Sequence, residues 1–133
     1  MAIINTKVRE FRDIDMNFTA HPGTKDVTQA VNESAIKQAI RTLVSTKNYE
    51  RKFHPEIGCQ VNSLLFENYV PKMRNIMKKT ITDVINNFEP RAILTKLDIV
   101  DNADSNEINI TVEFRMTNTT NPIIVNTVLR RAR

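Results

Sequence analysis

Two stretches of the chain carry apolar residues at helical spacing. Asp26 is of the type that caps helix N-termini, and the residues that follow it predict a first long helix over residues 27–46. Its apolar positions are Val27, Val31, Ile36, Ile40, Leu43 and Val44. A second stripe predicts a long helix that ends before Pro90, because proline disfavours helical geometry in the residue before it. This stripe consists of Val70, Met73, Met77, Ile81, Val84 and Phe88. Between the two helices, Pro55 and Gly58 indicate a loop, and a short apolar turn follows at residues 61–66.

After Pro90 the apolar period changes from 3.6 to 2, which is typical of strands with one buried face. Three strands are predicted, separated by turns at residues 101–106 and 118–122. Their alternating positions are Ile93, Thr95, Leu97 and Ile99, then Ile108, Ile110, Val112, Phe114 and Met116, then Ile123, Val125, Thr127 and Leu129. Near the other end of the chain, Ile14, Met16 and Phe18 alternate in a short strand before the turn at His21, Pro22 and Gly23.

These elements predict an α+β fold in which two long helices pack on one face of a small three-stranded antiparallel sheet, with an N-terminal arm. We expect a single domain over residues 1–133. Its parts are the arm (residues 1–26), a helical part (residues 27–88) and the antiparallel sheet (residues 92–129).

The composition fits one self-sufficient domain. The chain has 133 residues, of which 41% are hydrophobic and 26% charged, with one cysteine and a net charge of +4. A domain of this size buries enough surface to fold without metals or disulfides. Cys59 has no partner for an intramolecular bridge, and residues 1–10 lack an apolar signal or membrane span. We therefore expect a soluble protein made in the cytosol, with no cofactor and no membrane partner.

The residue pattern gives little support for a catalytic or metal-binding site. His21, His54 and Cys59 stand apart without metal-ligand spacing, and no glycine-rich phosphate loop is present. A cell-wall lytic glycosidase remains an alternative, because it needs only two carboxylates across a cleft. The candidates are Glu50, Glu56, Glu67 and Glu89. A sugar cleft would also use aromatic residues, yet the chain has no Trp and only two Tyr, so we expect no enzymatic activity.

A second alternative is a small basic regulatory or nucleic-acid-binding protein. Its candidate phosphate contacts are Lys72, Arg74, Lys78 and Lys79 on the second helix. The apolar stripes use most aromatic residues, which leaves no stacking platform, so we expect no nucleic-acid partner.

The last predicted strand is an uncharged edge candidate. Residues 123–129 contain no charged side chain, and an unpaired strand edge is a template for another chain. Either the N-terminal arm covers this edge or a partner adds a strand to it, and the residues favour neither. In the second case, Val125→Pro is expected to remove an edge donor.

Several segments, taken in order, resemble the baseplate wedge proteins of contractile-tailed phages, which are also called sheath initiators and are similar to a type VI secretion baseplate component. The segments are residues 11–18, Asp26-Val27, Ala35-Ile36, residues 49–58 with the pattern Glu-Arg-x-Phe-x-Pro-x-x-Gly, Leu64-Leu65-Phe66-Glu67, and residues 87–91 with Glu-Pro-Arg. Together they span nearly the whole chain. Ile57 departs from the pattern, since relatives often have an aromatic residue there.

The resemblance implies a non-enzymatic part of a sixfold tail baseplate, located in the virion and assembled in the cytoplasm of the host bacterium. The implied partners are the wedge core-bundle proteins, through Glu89, Pro90 and Arg91, and the tail sheath protein, through strand addition at Ile123, Val125, Thr127 and Leu129. On this interpretation, Arg91→Ala is expected to block incorporation into wedges while the isolated protein stays folded.

Overall fold

The computed structural model describes residues 10–67 and 70–131, which form an α+β fold with two sheets. The elements in chain order are β1 (Arg12–Ile14), β2 (Gln29–Val31), α1 (Glu33–Ser45), α2 (Val61–Leu64), α3 (Pro71–Phe88), β3 (Ala92–Asn102), β4 (Glu107–Met116) and β5 (Pro122–Arg130). A single 3₁₀ turn, Ala103–Ser105, connects β3 to β4. The mixed fold and its three-stranded antiparallel sheet, in the order β3-β4-β5, confirm the sequence-based prediction.

The second long helix, α3, follows the predicted stripe from Met73 to Phe88, but Val70 lies before the helix and is exposed. Pro71 occupies its first turn, where the missing N–H has no partner to lose, and Met77, Ile81, Val84 and Ile85 are buried. The helix ends at Phe88. The Glu89 amide still donates to the Ile85 carbonyl at 2.9 Å, and Pro90 then turns the chain into β3.

The first helix begins six residues later than the sequence predicts. Residues 29–31 are a strand rather than a helical turn, and α1 starts only at Glu33. The cause is long-range pairing: the Asn32 amide donates to the Phe11 carbonyl at 2.7 Å, and the Asn32 side chain accepts from the Phe11 amide at 3.0 Å. The helical spacing of Val27 and Val31 is therefore misleading, and Asp26 is not the helix cap.

The described part of the N-terminal segment forms a two-stranded hairpin, β1-β2, in place of the predicted strand over residues 13–18. The observed strand is Arg12–Ile14, so only the first two residues of that stretch belong to a strand. The alternating apolar residues Ile14, Met16 and Phe18 are all exposed. On α1, Gln38 accepts from the Met16 amide at 3.0 Å and donates to the Ile14 carbonyl at 2.8 Å, so its amide occupies the outer edge of β1 as a neighbouring strand would.

The buried apolar residues of the long helices and of the main sheet form one core. The buried residues of α1, α3, β3, β4 and β5 belong to one cluster, with α3 contacting β3 and α1 contacting β5. On β4, Ile108, Ile110, Val112 and Phe114 are all buried, as the alternation predicts.

A β-bulge changes the face of β3 at one end. The register with β4 shifts between Leu94 and Lys96, which inserts one extra residue. Leu97 and Ile99 face the core as predicted, but Ile93 and Thr95 are exposed, and Ala92 and Leu94 take their places on the inner face. The predicted alternation across residues 93–99 is therefore wrong before the bulge.

Candidate functional site

Two predicted sites can be located in the structure: the corner between α3 and β3, and the outer edge of β5. At the corner, Glu89 and Arg91 contact each other. The Arg91 Nε donates to Glu89 Oε1 at 2.6 Å and Nη2 donates to Oε2 at 2.8 Å, a bidentate charge-assisted pair. Glu89 is only 3% exposed, and it is the one buried charged residue in the described part of the chain. Pro90, between the two, is exposed.

A third residue completes the corner from far away in sequence. Asp13, on β1, accepts from the other side of the same guanidinium, at 3.1 Å from Nη1 and 3.0 Å from Nη2. The Phe11 ring lies with its centroid 5.7 Å from the Arg91 Cζ, within the range of a cation–π contact. Sequence reasoning missed Asp13, since 78 residues separate it from Arg91 and no local spacing signals the pair. The arm hairpin is thereby attached to the corner.

The charges at the corner are almost fully used within the chain. The hydrogen bonds that Arg91 donates, those to Glu89 first and those to Asp13 second, raise the pKa of Arg91 above its already high ordinary value. A guanidinium has five N–H donors, and four of them bond the two carboxylates. One N–H of Arg91 therefore remains for a partner unless the partner displaces Asp13.

The second site consists of the backbone N–H and C=O groups of β5 that point away from β4. The Arg131 amide donates to the Asn106 carbonyl at 2.9 Å, and these two residues continue the register in which Glu107 lies opposite Arg130. In an antiparallel ladder, hydrogen-bonded pairs alternate with non-bonded ones. The N–H groups of Ile123, Val125, Thr127 and Leu129 therefore face β4, and those of Ile124, Asn126, Val128 and Arg130 face outward.

The four predicted strand-addition residues thus lie on β5, but their side chains face the helices and their backbone groups belong to the internal ladder. Ile123, Val125 and Leu129 are buried, and Thr127 is partly buried. A proline at Val125 would break the pairing with β4 rather than remove an edge donor, so the sequence-based choice of this position is wrong. Within residues 10–67 and 70–131, no strand pairs with the outer side of β5. Residues 1–9 of the arm lie outside the described part of the chain.

Three of the four carboxylates considered for glycoside hydrolysis have partners inside the chain. Glu50 Oε2 accepts from the Lys47 amide at 2.8 Å, Glu56 Oε1 lies 3.2 Å from His54 Nδ1, and Glu89 is held by Arg91. These contacts occupy oxygens that an acid and a base would need. Glu67 lies exposed just after α2.

The other sequence-based candidates are dispersed. Lys78 lies 3.6 Å from Asp98 on the sheet, whereas Lys72, Arg74 and Lys79 are exposed along α3. Burial raises the pKa of the Cys59 thiol. Across the residues that the structure describes, no three His, Cys, Asp or Glu side chains converge as metal ligands, and no helix has the length and apolarity that a membrane span requires.

Comparison with known proteins places this fold in one family. A family model described as baseplate wedge protein gp25 matches residues 30–121. The baseplate wedge protein gp25 of Enterobacteria phage T4 is 29% identical over 98 residues, which is 74% of this chain and 73% of that protein.

Solved structures share the fold at lower sequence identity. A chain of the anti-feeding prophage baseplate, 6-fold symmetrised, has a TM-score of 0.64 at 20% identity, over 90% of this chain and 84% of that one. A chain of the postcontracted pyocin R2 baseplate has a TM-score of 0.56 at 11% identity, over 92% and 100%. A structure described as a tail lysozyme from Geobacter sulfurreducens has a TM-score of 0.64 at 22% identity, over 76% and 94%.

These structural likenesses concern the fold alone, and the family is shown by the match over residues 30–121. The chain belongs to the baseplate wedge protein gp25 family and is a component of the contractile tail baseplate of a virion.

Proposed function

We propose that this baseplate protein binds the core bundle of the wedge through the corner at Glu89, Pro90 and Arg91, and offers the outer edge of β5 to the first ring of the tail sheath, in a sixfold arrangement. The observation that carries the proposal is the open edge of β5, a nine-residue strand with pairing on one side only among the described residues.

The outer backbone groups of β5 can form enough hydrogen bonds to bind an added strand, but only if β5 is already held in place on the baseplate. Its four outward residues present four N–H and four C=O groups, and a net contribution of about 0.5–1.5 kcal/mol per bond gives roughly 4–12 kcal/mol for a full ladder. Association costs about 4–15 kcal/mol in translational and rotational freedom alone. A strand held on an assembled baseplate lowers this cost for the next ring, which favours sheath growth there over growth in solution.

The β5 edge is better suited to this role than the opposite edge of the sheet. The outer strand β3 contains the bulge at Leu94–Lys96, and Lys96 pairs with Asp98 at 3.0 Å on the same strand. Bulges and charged side chains are the usual means by which sheet edges avoid pairing. On β5, by contrast, the outward-facing residues Ile124 and Val128 are exposed and apolar.

At the corner, the bidentate pair with Glu89 holds the Arg91 guanidinium in one orientation beside the exposed Pro90. A fixed planar donor suits a directional contact with a carboxylate or carbonyl of a partner. The side that Asp13 occupies is the side that a partner carboxylate would take, so binding at the corner competes with attachment of the arm.

The edge is tested by variants supplied in cells that lack the wild-type chain, with sheath length measured in electron micrographs of purified tails. Asn126→Pro removes an outward N–H without touching the β4 ladder, and we expect normal baseplates that carry no sheath. Asn126→Thr keeps the N–H and serves as the control, with normal sheaths expected. Sheaths of normal length on Asn126→Pro, or equal loss in both variants, would reject backbone templating at this edge.

The corner is tested with Arg91→Lys, which keeps a cation beside the buried Glu89 but loses the planar fork. We expect the amount of chain in purified baseplates, measured by quantitative immunoblot, to fall at least tenfold. Arg12→Lys is the control, since Arg12 also donates two N–H bonds to a carboxylate, both to Glu10 Oε2, but on the exposed arm. Wild-type incorporation of Arg91→Lys would reject the corner as the wedge contact.

A further inference from the structure

One segment of the chain is not used by either proposed contact. Residues 47–59, between α1 and α2, form a loop that we call the aromatic loop, and it is tied together by its own backbone. The Tyr49 amide donates to the Pro55 carbonyl at 3.0 Å, and the Cys59 amide donates to the Thr46 carbonyl at 2.8 Å. At Gly58, φ is 155°, and an added Cβ would lie 2.7 Å from the Lys47 backbone. The loop is therefore closed tightly at its base.

This closed loop holds two aromatic side chains in water. Tyr49 is 82% exposed and Phe53 is 95% exposed. Both have left-handed backbone conformations, with φ of 67° and 72°, which are unfavourable for bulky residues. Neither ring packs into the core of the fold. The left-handed conformation therefore costs conformational free energy at both positions, and no burial of the rings offsets that cost. Backbone strain of this kind is concentrated at functional positions.

The apolar surface extends beyond the loop itself. Phe66, just after α2, is also exposed, and it lines an open cavity of about 410 Å³ together with Tyr49. Large aromatic side chains supply most of the binding energy in protein interfaces because they bury much area at little cost in conformational entropy.

The aromatic loop carries exposed cations that take part in none of the ion pairs among the described residues. Glu50 accepts from the Lys47 amide, and Glu56 is engaged by His54. The pKa of Glu56 lies below its ordinary value, because its own backbone amide and then His54 bond the carboxylate. Arg51 and Lys52, which precede Phe53, are exposed and carry none of the ion pairs found in the described part of the chain. Two cations without an ion pair among the described residues therefore lie directly before Phe53.

We propose that the aromatic loop is a further docking surface, on which Phe53 and Tyr49 insert into an apolar pocket of another folded tail protein whose rim carries Asp or Glu side chains. The contact goes beyond the corner and the β5 edge, and it relies only on membership of a multi-protein baseplate. A protein is favoured over nucleic acid because Arg51 and Lys52, which lie between Glu50 and Glu56 in the sequence, neutralise too few phosphates for appreciable affinity. A lipid surface is disfavoured because two cations contribute only about 1 kcal/mol each near an anionic membrane, which is too little to hold the loop there.

The proposal predicts that loss of the Phe53 ring weakens binding to the baseplate without lowering the stability of the fold. Phe53→Gly removes the ring and relieves the left-handed strain, so we expect the midpoint of thermal unfolding to be unchanged or higher while the chain found in purified baseplates falls at least tenfold. Phe18→Gly is the matched control, because Phe18 is 67% exposed with φ of 51° on the arm hairpin, and wild-type incorporation is expected. Loss of stability in Phe53→Gly, or equal loss of incorporation in both variants, would overturn the assignment.

The partner's chemistry is tested in intact tails that carry the photo-cross-linking residue p-benzoylphenylalanine in place of Phe53. We expect a cross-link to an apolar site of another tail protein with Asp or Glu nearby in its sequence or structure. In addition, charge reversal at Arg51 and Lys52 to Glu should reduce incorporation at least tenfold. A cross-link only to lipid or nucleic acid, a protein site without acidic residues, or no cross-link would overturn the proposal.

Discussion

Replacement of Arg91 by alanine is expected to destabilise the isolated protein strongly, whereas the expectation from sequence is only that the isolated protein stays folded. The substitution removes four charge-assisted hydrogen bonds, two to Glu89 and two to Asp13. Glu89 is 3% exposed and would be left without its cation, whereas Asp13, on the outer side, can be solvated by water. The buried carboxylate therefore dominates the effect.

The magnitude follows from this burial. Removing one partner of a buried ion pair costs about 3–5 kcal/mol, because the remaining charge is desolvated and uncompensated. Total stabilities of about 5–15 kcal/mol make this a large fraction of the free energy of unfolding. For a domain of this size the expected fall in the midpoint of thermal unfolding is roughly 10–20 °C.

Urea unfolding followed by far-ultraviolet circular dichroism is a suitable assay, since the chain has no Trp to report by fluorescence. The double variant Glu89→Gln/Arg91→Ala removes the orphaned charge and should recover at least about 1 kcal/mol relative to Arg91→Ala. If Arg91→Ala lowers the free energy of unfolding by less than about 1 kcal/mol, or if the double variant recovers nothing, Glu89 is not a buried charge that depends on Arg91. The same result explains why Arg91→Lys, and not Arg91→Ala, is the informative variant for wedge incorporation.

Other substitutions test single contacts. Thr127→Val removes a buried hydroxyl that has no hydrogen-bond partner among the described residues, and it should raise the free energy of urea unfolding by about 1 kcal/mol. Gln38→Ala removes two bonds to the arm, so amide exchange at Met16 should accelerate about tenfold with little change in global stability. The hydrogen bond from Lys96, with its charge, lowers the pKa of Asp98. The resulting stabilisation is present above about pH 4 and is lost as pH falls through the folded-state value. Asp98→Asn should therefore flatten the acid limb of a stability–pH profile, and an unchanged limb would contradict the pairing.

The elements best predicted from sequence are those whose local pattern and tertiary burial agree. The stripe of α3 is buried from Met77 onward and the alternation of β4 has one buried face, and both elements occur within one residue of the predicted bounds. The start of α1 was not predictable in the same way. Val27 and Val31 fit a helical stripe, but pairing of residues 29–31 with β1 outweighs local propensity, and the segment that competes lies 17 residues away, at Arg12–Ile14.

The corner between α3 and β3 shows a second limit of prediction from the sequence. The resemblance to baseplate wedge proteins implies Glu89, Pro90 and Arg91 as a unit, whereas the residues alone indicate only that the helix ends before Pro90. The sequence does not indicate that the pair is buried, or that Asp13 occupies the other side of the guanidinium, since both facts depend on where the hairpin β1-β2 docks. The consequence is functional: two charges that appear free for a partner in sequence are largely neutralised within the chain.

The sequence of β5 alone does not show which of its residues direct their backbone N–H and C=O groups toward the open edge. Alternation of apolar and polar residues fixes which side chains face the core, but each strand has two in-plane directions, and the backbone groups of a given residue point to one neighbour or the other. For β5 that choice follows from the bonded pair Asn106 and Arg131 at the end of the ladder. The same bond assigns Asn126 to the open side and Val125 to β4. A one-residue difference in the site of a proline therefore decides whether the experiment tests strand addition or merely breaks the sheet.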